Sequence, residues 1–231
     1  MARKEIFAKG EFYHLFNRGI EKRIIFNDDI DKFRFQKLLF LCNSYIPLHY
    51  SNLKDKIKSN EIFKLDRSSR LVAIGAYCLM NNHFHILVRN LTENGVSKFM
   101  QKLSTAYTMY FNIRNERNGS LLQGVFKAKH ATDDNYLKYL FSYIHLNPIK
   151  HIEPEWREKG IQNRQKIKNY LQNYNFSSLP DYLGSKRDAM AILSQEDYPE
   201  YFNSLKSVED ELLDWINIAS PVRDDEYQYQ G

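Results

Sequence analysis

Two apolar, β-compatible runs, Leu71 to Leu79 and His83 to Arg89, flank the break Met80-Asn81-Asn82, and no other pattern in the chain constrains its fold as much. Runs of this kind joined by a short polar break read as an antiparallel hairpin. The second run opens with His83-Phe84-His85. In a strand, residues i and i+2 leave the same face, so both imidazoles point to one side while Phe84 and Ile86 pack on the other. That arrangement is a two-toothed metal clamp. On a helix the same spacing would splay the rings by about 200°, so the clamp depends on the strand. An ordinary pair of half-buried sheet histidines bonded to polar neighbours shows the same spacing.

The flanking text supplies the rest of a sheet. Phe12 to Phe16 is aromatic-rich and ends at Asn17-Arg18-Gly19, a first strand closed by a turn. Asp28 to about Tyr45 reads as a helix with Ile30, Phe33, Leu38, Leu41 and Tyr45 as its apolar positions, stopped by Pro47. Residues 48–70 are polar and rich in lysine (Lys54, Lys56, Lys58, Lys64), which predicts an exposed excursion. A second helix is marked from Val96 to about Ile113, with Val96, Phe99, Met100, Leu103, Tyr107 and Tyr110 on one face. Leu121 to His130 holds a short strand, and a third helix runs from the Thr132-Asp133-Asp134 cap to Pro148. Strand, helix, hairpin, helix, strand, helix is the order of a split β-α-β, or ferredoxin-like, antiparallel sheet with one added helix, an α+β fold. Residues 1–150 form that domain. Residues 151–231 read as a polar, tyrosine-rich extension with one helical candidate from Val208 to Ile218.

Composition narrows the partners. The 231 residues carry a formal net charge of +5 and a pI of about 9.0, a balance that suits a polyanion. Cys42 and Cys78 stand in unrelated contexts, so neither a disulfide framework nor a cysteine zinc site is available. No apolar leader follows Met1, and Leu71 to Met80 is half the length of a bilayer span. A cytoplasmic protein without a membrane partner is expected.

Tyr139, Tyr143 and Asn147 fall at i, i+4 and i+8 of the third helix and form one line, while Tyr136, Leu137, Leu140 and Ile144 form the packing stripe. Placed opposite His83 and His85, Asn147 can supply a third neutral metal ligand and Tyr143 a nucleophile beside a bound phosphate. Taken alone, the line reads as a tyrosine-rich amphipathic helix.

Four separated motifs then occur in order: Tyr13-His14-Leu15-Phe16-Asn17-Arg18-Gly19, His83-Phe84-His85, Leu122-Gln123-Gly124-Val125-Phe126-Lys127-Ala128, and Tyr143-Ile144-His145-Leu146-Asn147-Pro148. Over residues 11 to 150 the chain resembles the IS200-like HUH single-strand DNA transposases, and within them the REP-associated tyrosine transposase branch. The resemblance implies His83 and His85 as metal ligands, Asn147 as the polar third ligand and Tyr143 as the nucleophile. It also implies cleavage of single-stranded or hairpin DNA through a 5′-phosphotyrosine link with Mg²⁺ or Mn²⁺.

These residue types suit that reaction. A cation on a non-bridging oxygen polarises phosphorus, and a phenol with a reference pKa near 10 needs positive surroundings, for which Lys127, Lys129 and Lys138 are candidates. Arg18, Lys22 and Arg23, with Lys98, Lys102 and Arg114 on the second helix, are candidates for DNA phosphates beside Lys127 and Lys129. Phe12, Tyr13 and Tyr107 are candidates for base stacking. His14 and His145 are expected to be structural or close to DNA, not ligands. Two rival readings stay open: a nucleic-acid-binding module whose cleavage has decayed, and a metal-dependent hydrolase using His83, His85 and a carboxylate. The sequence does not choose between monomer and homodimer.

Overall fold

The computed structural model describes residues 6–48, 50–53, 58 and 61–202. Four strands, β1 (Phe12–Arg18), β2 (Val72–Leu79), β3 (His83–Asn90) and β4 (Lys127–Ala131), form one antiparallel sheet in the order β2-β3-β1-β4. The helices in chain order are α1 (Asp29–Cys42), α2 (Tyr50–Leu53), α3 (Gly95–Arg114), α4 (Asp134–Leu146), α5 (Trp156–Lys159), α6 (Arg164–Asn173) and α7 (Leu179–Tyr182). The expected ferredoxin-like order is met: β1 and β3 are central, and α1 and α3 are the crossovers. Among the described residues no helix is long and apolar enough to cross a membrane.

The pleat divides the molecule into two layers. Phe84, which alternates with the histidines along β3, is fully buried against Phe35 of α1 (4.9 Å between ring centroids), and Phe35 meets Tyr107 of α3 at 4.9 Å. Tyr107 also donates to the Ile25 carbonyl at 2.5 Å, so it is a core residue and not a stacking platform. The opposite face of the sheet, which carries His83 and His85, receives α4 against β2, β3 and β4.

Asp28 caps α1 by accepting from Asp31 N–H, and the helix ends at Cys42, ahead of Pro47. Its buried face differs from the expected stripe. Leu38 and Leu41 are buried, but Ile30, Phe33 and Tyr45 are 62%, 47% and 62% exposed, and Phe35, Leu39 and Phe40 fill the core instead. The half of α1 near Cys42 is apolar almost all round, so spacing alone could not choose its inner side.

The 48–70 excursion is not wholly exposed. Ile62 is buried, Phe63 meets Phe40 at 5.6 Å, and the Arg67 guanidinium lies 3.9 Å above the Phe40 ring. Lys54 and Lys56 lie outside the described residues, as does the helical candidate at Val208 to Ile218. The last strand is Lys127–Ala131, whereas Leu122 makes only an isolated bridge to Gly19.

Residues 174–202 fasten onto the free edge of β2. Leu79 N–H donates to the Phe176 carbonyl at 2.9 Å, Ser178 N–H to Tyr77 at 3.0 Å, and Ser194 N–H to Ile74 at 2.9 Å. Pairing that edge hides backbone groups that would otherwise template association. Gly75, at a register shift in β2, leaves room for the buried Tyr198: a Cβ there would stand 2.2 Å from the Tyr198 ring. The Tyr198 hydroxyl reaches the carbonyls of Ala73 and Leu87, each at 3.2 Å.

Candidate active site

Strand pairing sets His83 opposite Arg18, His85 opposite Phe16 and Leu87 opposite His14, so these residues share one face. The next pairing sets Lys127 opposite Phe16 and Lys129 opposite His14, on that same face. His83 and His85 lie 5.0 Å apart by ring centroid with their planes at 88°.

The bonds around His83 fix its protonation. Asn82 Nδ2 donates to the Lys22 carbonyl at 3.1 Å, which turns Asn82 Oδ1 toward His83 Nδ1 at 2.6 Å. An amide oxygen only accepts, so Nδ1 carries the proton and Nε2 keeps its lone pair. Burial, then the charges of Lys150, His151 when protonated, Arg18 and Arg157, hold the His83 pKa down to about 4. His85 is buried and held well below its usual value, again mainly by burial. At neutral pH both rings are uncharged, the state in which imidazole binds a metal.

His14 belongs to this group. Its Nε2 lies 2.9 Å from His85 Nδ1, with the rings stacked at 5.0 Å. Burial lowers its pKa to about 3, and its Nδ1 is buried with no hydrogen-bond partner among the described residues. When His85 donates from Nδ1 to His14, its Nε2 is bared, as at His83. His14 thus serves to orient His85, a structural role of the kind expected, whose particular partner the strand register reveals and sequence separation hides. A His14→Ala chain should fold yet lose about 10- to 100-fold in metal-dependent activity. His14→Gln, which restores an acceptor, should recover part of the loss in the same assay. Undiminished activity in His14→Ala would return His14 to a packing role.

Helix α4 brings Tyr143 over this cluster. Asp133 caps the helix by accepting from Tyr136 N–H at 2.9 Å, and Leu137, Leu140 and Ile144 pack inward. The Tyr143 ring lies 5.6 Å from that of His85 and 5.9 Å from that of His14. Tyr136, expected on the packing stripe, is partly buried and packs against the core; it stacks on Tyr139, which leans on Tyr143, each pair 5.9 Å apart. His145 faces away, buried, with Nε2 2.7 Å from Ser178 Oγ, and ties the helix to the segment that covers β2. Asn147 is buried, and its Nδ2 donates to the Tyr143 carbonyl at 2.7 Å, which leaves the amide oxygen as its acceptor side.

The chemistry of the expected donors suits a divalent cation: two neutral imidazoles, His83 with its Nε2 bare and His85 likewise when it donates to His14, and the amide oxygen of Asn147, one helical turn from Tyr143. Among the described residues no group of three or more His, Cys, Asp or Glu side chains is arranged to hold a metal. The hydrolase reading therefore has no carboxylate to complete its site among those residues.

The proposed DNA contacts divide between the layers. Arg18 lies beside His83 and pairs with Gln123, and Lys22 and Arg23 occupy the short turn that follows β1. Lys102 is on the other layer, its ammonium bonded to the Ser44 carbonyl at 2.6 Å, and Arg114 is held by Asp28 and Asp31. Lys138 lies 4.5 Å above the Tyr201 ring, whereas the Arg157 guanidinium lies over Tyr143, at 5.0 Å. Sequence reasoning missed Arg157 because no motif reaches it.

The ferredoxin-like sheet thus presents paired imidazoles to a tyrosine-bearing helix. The family model described as Transposase IS200 like matches residues 12–147, more than half of the chain, and the chain belongs to that family. A solved structure described as the REP-associated tyrosine transposase bound to a REP hairpin has a similar fold. It aligns at a TM-score of 0.51 and 12% identity, over 86% of this chain and 88% of that one. No curated protein matches the sequence.

Proposed function

We propose that this chain is a cytoplasmic single-strand DNA transposase that cuts and rejoins DNA through a 5′-phosphotyrosine at Tyr143. The observation that carries the reading is the position of the Tyr143 ring, 5.6 Å from His85 on the face where both imidazoles are neutral. The Tyr143 oxygen attacks phosphorus and forms the Oη–P bond as the P–O3′ bond breaks. The departing O3′ takes a proton from solvent and leaves as a 3′-hydroxyl, while the phenol proton passes to solvent. The bond energy stays in the phosphotyrosine, so a second 3′-hydroxyl can reverse the step and join strands without ATP.

His83, His85 and the Asn147 oxygen would hold the ion, Mg²⁺ or Mn²⁺. When bound, such an ion neutralises a non-bridging phosphate oxygen and polarises phosphorus. Imidazole is an unusual ligand for magnesium, and the positive Arg18, Lys150 and Arg157 around His83 oppose a further cation. DNA phosphate supplies both the missing oxygens and the missing negative charge, so metal and DNA should bind with positive coupling.

The neighbour's REP hairpin supports hairpin or palindromic ends as the substrate here. The test is to incubate the full chain with labelled single-stranded oligonucleotides tiling the palindromes that flank its gene, with Mg²⁺ or Mn²⁺. A protein–DNA adduct that survives denaturing electrophoresis is expected, and a chelator should prevent it. Free 5′-phosphate ends with no attached protein would favour a hydrolase. Binding without cleavage in either metal would favour a decayed binding module.

A further inference from the structure

Arg157 lies in α5, beyond the end of the family match at residue 147. Its guanidinium carbon is 5.0 Å from the centre of the Tyr143 ring and 5.3 Å from that of Trp156. The turn that carries it is anchored. Trp156 is 8% exposed and its backbone N–H donates to the Glu153 carbonyl at 3.1 Å. The Glu153 carboxylate in turn accepts from the N–H groups of Gln162 (2.9 Å) and Asn163 (3.1 Å). The same guanidinium is felt at both imidazoles of the pair, where it adds to the burial that keeps them neutral. The Arg157 guanidinium therefore stands over Tyr143 and, like Lys150, acts on both His83 and His85; a scissile phosphate must enter this corner to meet both the phenol and the ion.

We propose that Arg157 is the charge-stabilising group of the transfer step, holding a non-bridging phosphate oxygen beside Tyr143 while the phosphoryl group passes from O3′ to the phenol oxygen. This rests on the phosphotyrosine reading. The Oη–P bond forms and the P–O3′ bond breaks with no redox change, and Arg157 stays protonated throughout. Arginine suits the task because its planar fork can grip two phosphate oxygens at once and its charge is not lost at working pH. A lysine offers only a point charge. The residue reaches the site from a segment outside the family's shared motifs, which makes the extension part of the catalytic apparatus.

The test follows single-turnover adduct formation by the full chain on the oligonucleotides that tile the palindromes flanking its gene, with Mg²⁺, and DNA affinity by anisotropy. Arg157→Gln should slow adduct formation about 100-fold at saturating DNA, as expected when one preorganised charge-stabilising donor is lost. Affinity should stay within about threefold, because an interaction strongest in the transition state lowers the rate more than binding. Arg157→Lys should fall between the two, slower than the parent by about tenfold. A rate for Arg157→Gln within about threefold of the parent would overturn the proposal, as would a defect that disappears at saturating DNA. If Arg157→Gln fails to fold, Arg157→Lys decides, and a parental rate there overturns it. Tyr143→Phe run beside them reports on the underlying reading, since absence of any adduct from the parent chain defeats that reading rather than the arginine's role alone.

Discussion

Tyr143→Phe should abolish the covalent adduct while leaving DNA binding intact. The substitution removes one oxygen and keeps the ring, so the contacts with His85 (5.6 Å), His14 (5.9 Å) and the Arg157 guanidinium (5.0 Å) remain. Helix α4 is held by its buried residues and by His145 on Ser178, none of which depends on the phenol. Losing a nucleophile that acts only in the chemical step should cost at least about 1,000-fold in rate. A denaturing gel reads the adduct, and anisotropy on the same oligonucleotide reads binding. An undiminished adduct would move the nucleophile to Tyr139 or Tyr136, the other two rings of the stacked line on α4.

The second large effect is expected at the paired imidazoles. His83 is the cleaner target because it is partly exposed, whereas removal of His85 also strips the buried His14 of its partner. His83→Ala should lower adduct formation by at least about 100-fold at any practical Mg²⁺ or Mn²⁺ concentration, with little change in thermal stability. The loss should follow the metal. Mn²⁺ binding, read by electron paramagnetic resonance, should be weak in the parent chain alone and stronger with single-stranded DNA, and His83→Ala should abolish that gain. Retention of tight zinc after purification, with activity surviving a magnesium chelator, would contradict this assignment.

What the sequence disclosed follows from how local each signal is. The hairpin at 71–89 and the helix at Gly95–Arg114 are written in patterns of period two and 3.6, and both form where expected. The line of Tyr139 and Tyr143 was legible because it lies within one helix. The inward face of α1 was not, since Phe35, Leu39 and Phe40 compete with Ile30 and Phe33 on a helix with little contrast between its sides. Register across strands is invisible in one dimension, which is why the bond from His14 to His85 surfaced only in three. Arg157 and the cover over β2 come from residues 151–202, a mostly polar stretch whose buried apolar residues, among them Trp156, Phe176, Tyr182 and Tyr198, are spread over short helices and turns with no motif to mark them.

Mapping the adduct by mass spectrometry tests the account most directly. The full chain would be trapped on a cleaved oligonucleotide with Mg²⁺, digested with nuclease and protease, and the nucleotide-bearing peptide sequenced. The account predicts a single 5′-linked nucleotide on the hydroxyl of Tyr143. A nucleotide on Tyr136 or Tyr139, or cleaved DNA with no modified peptide, would contradict it.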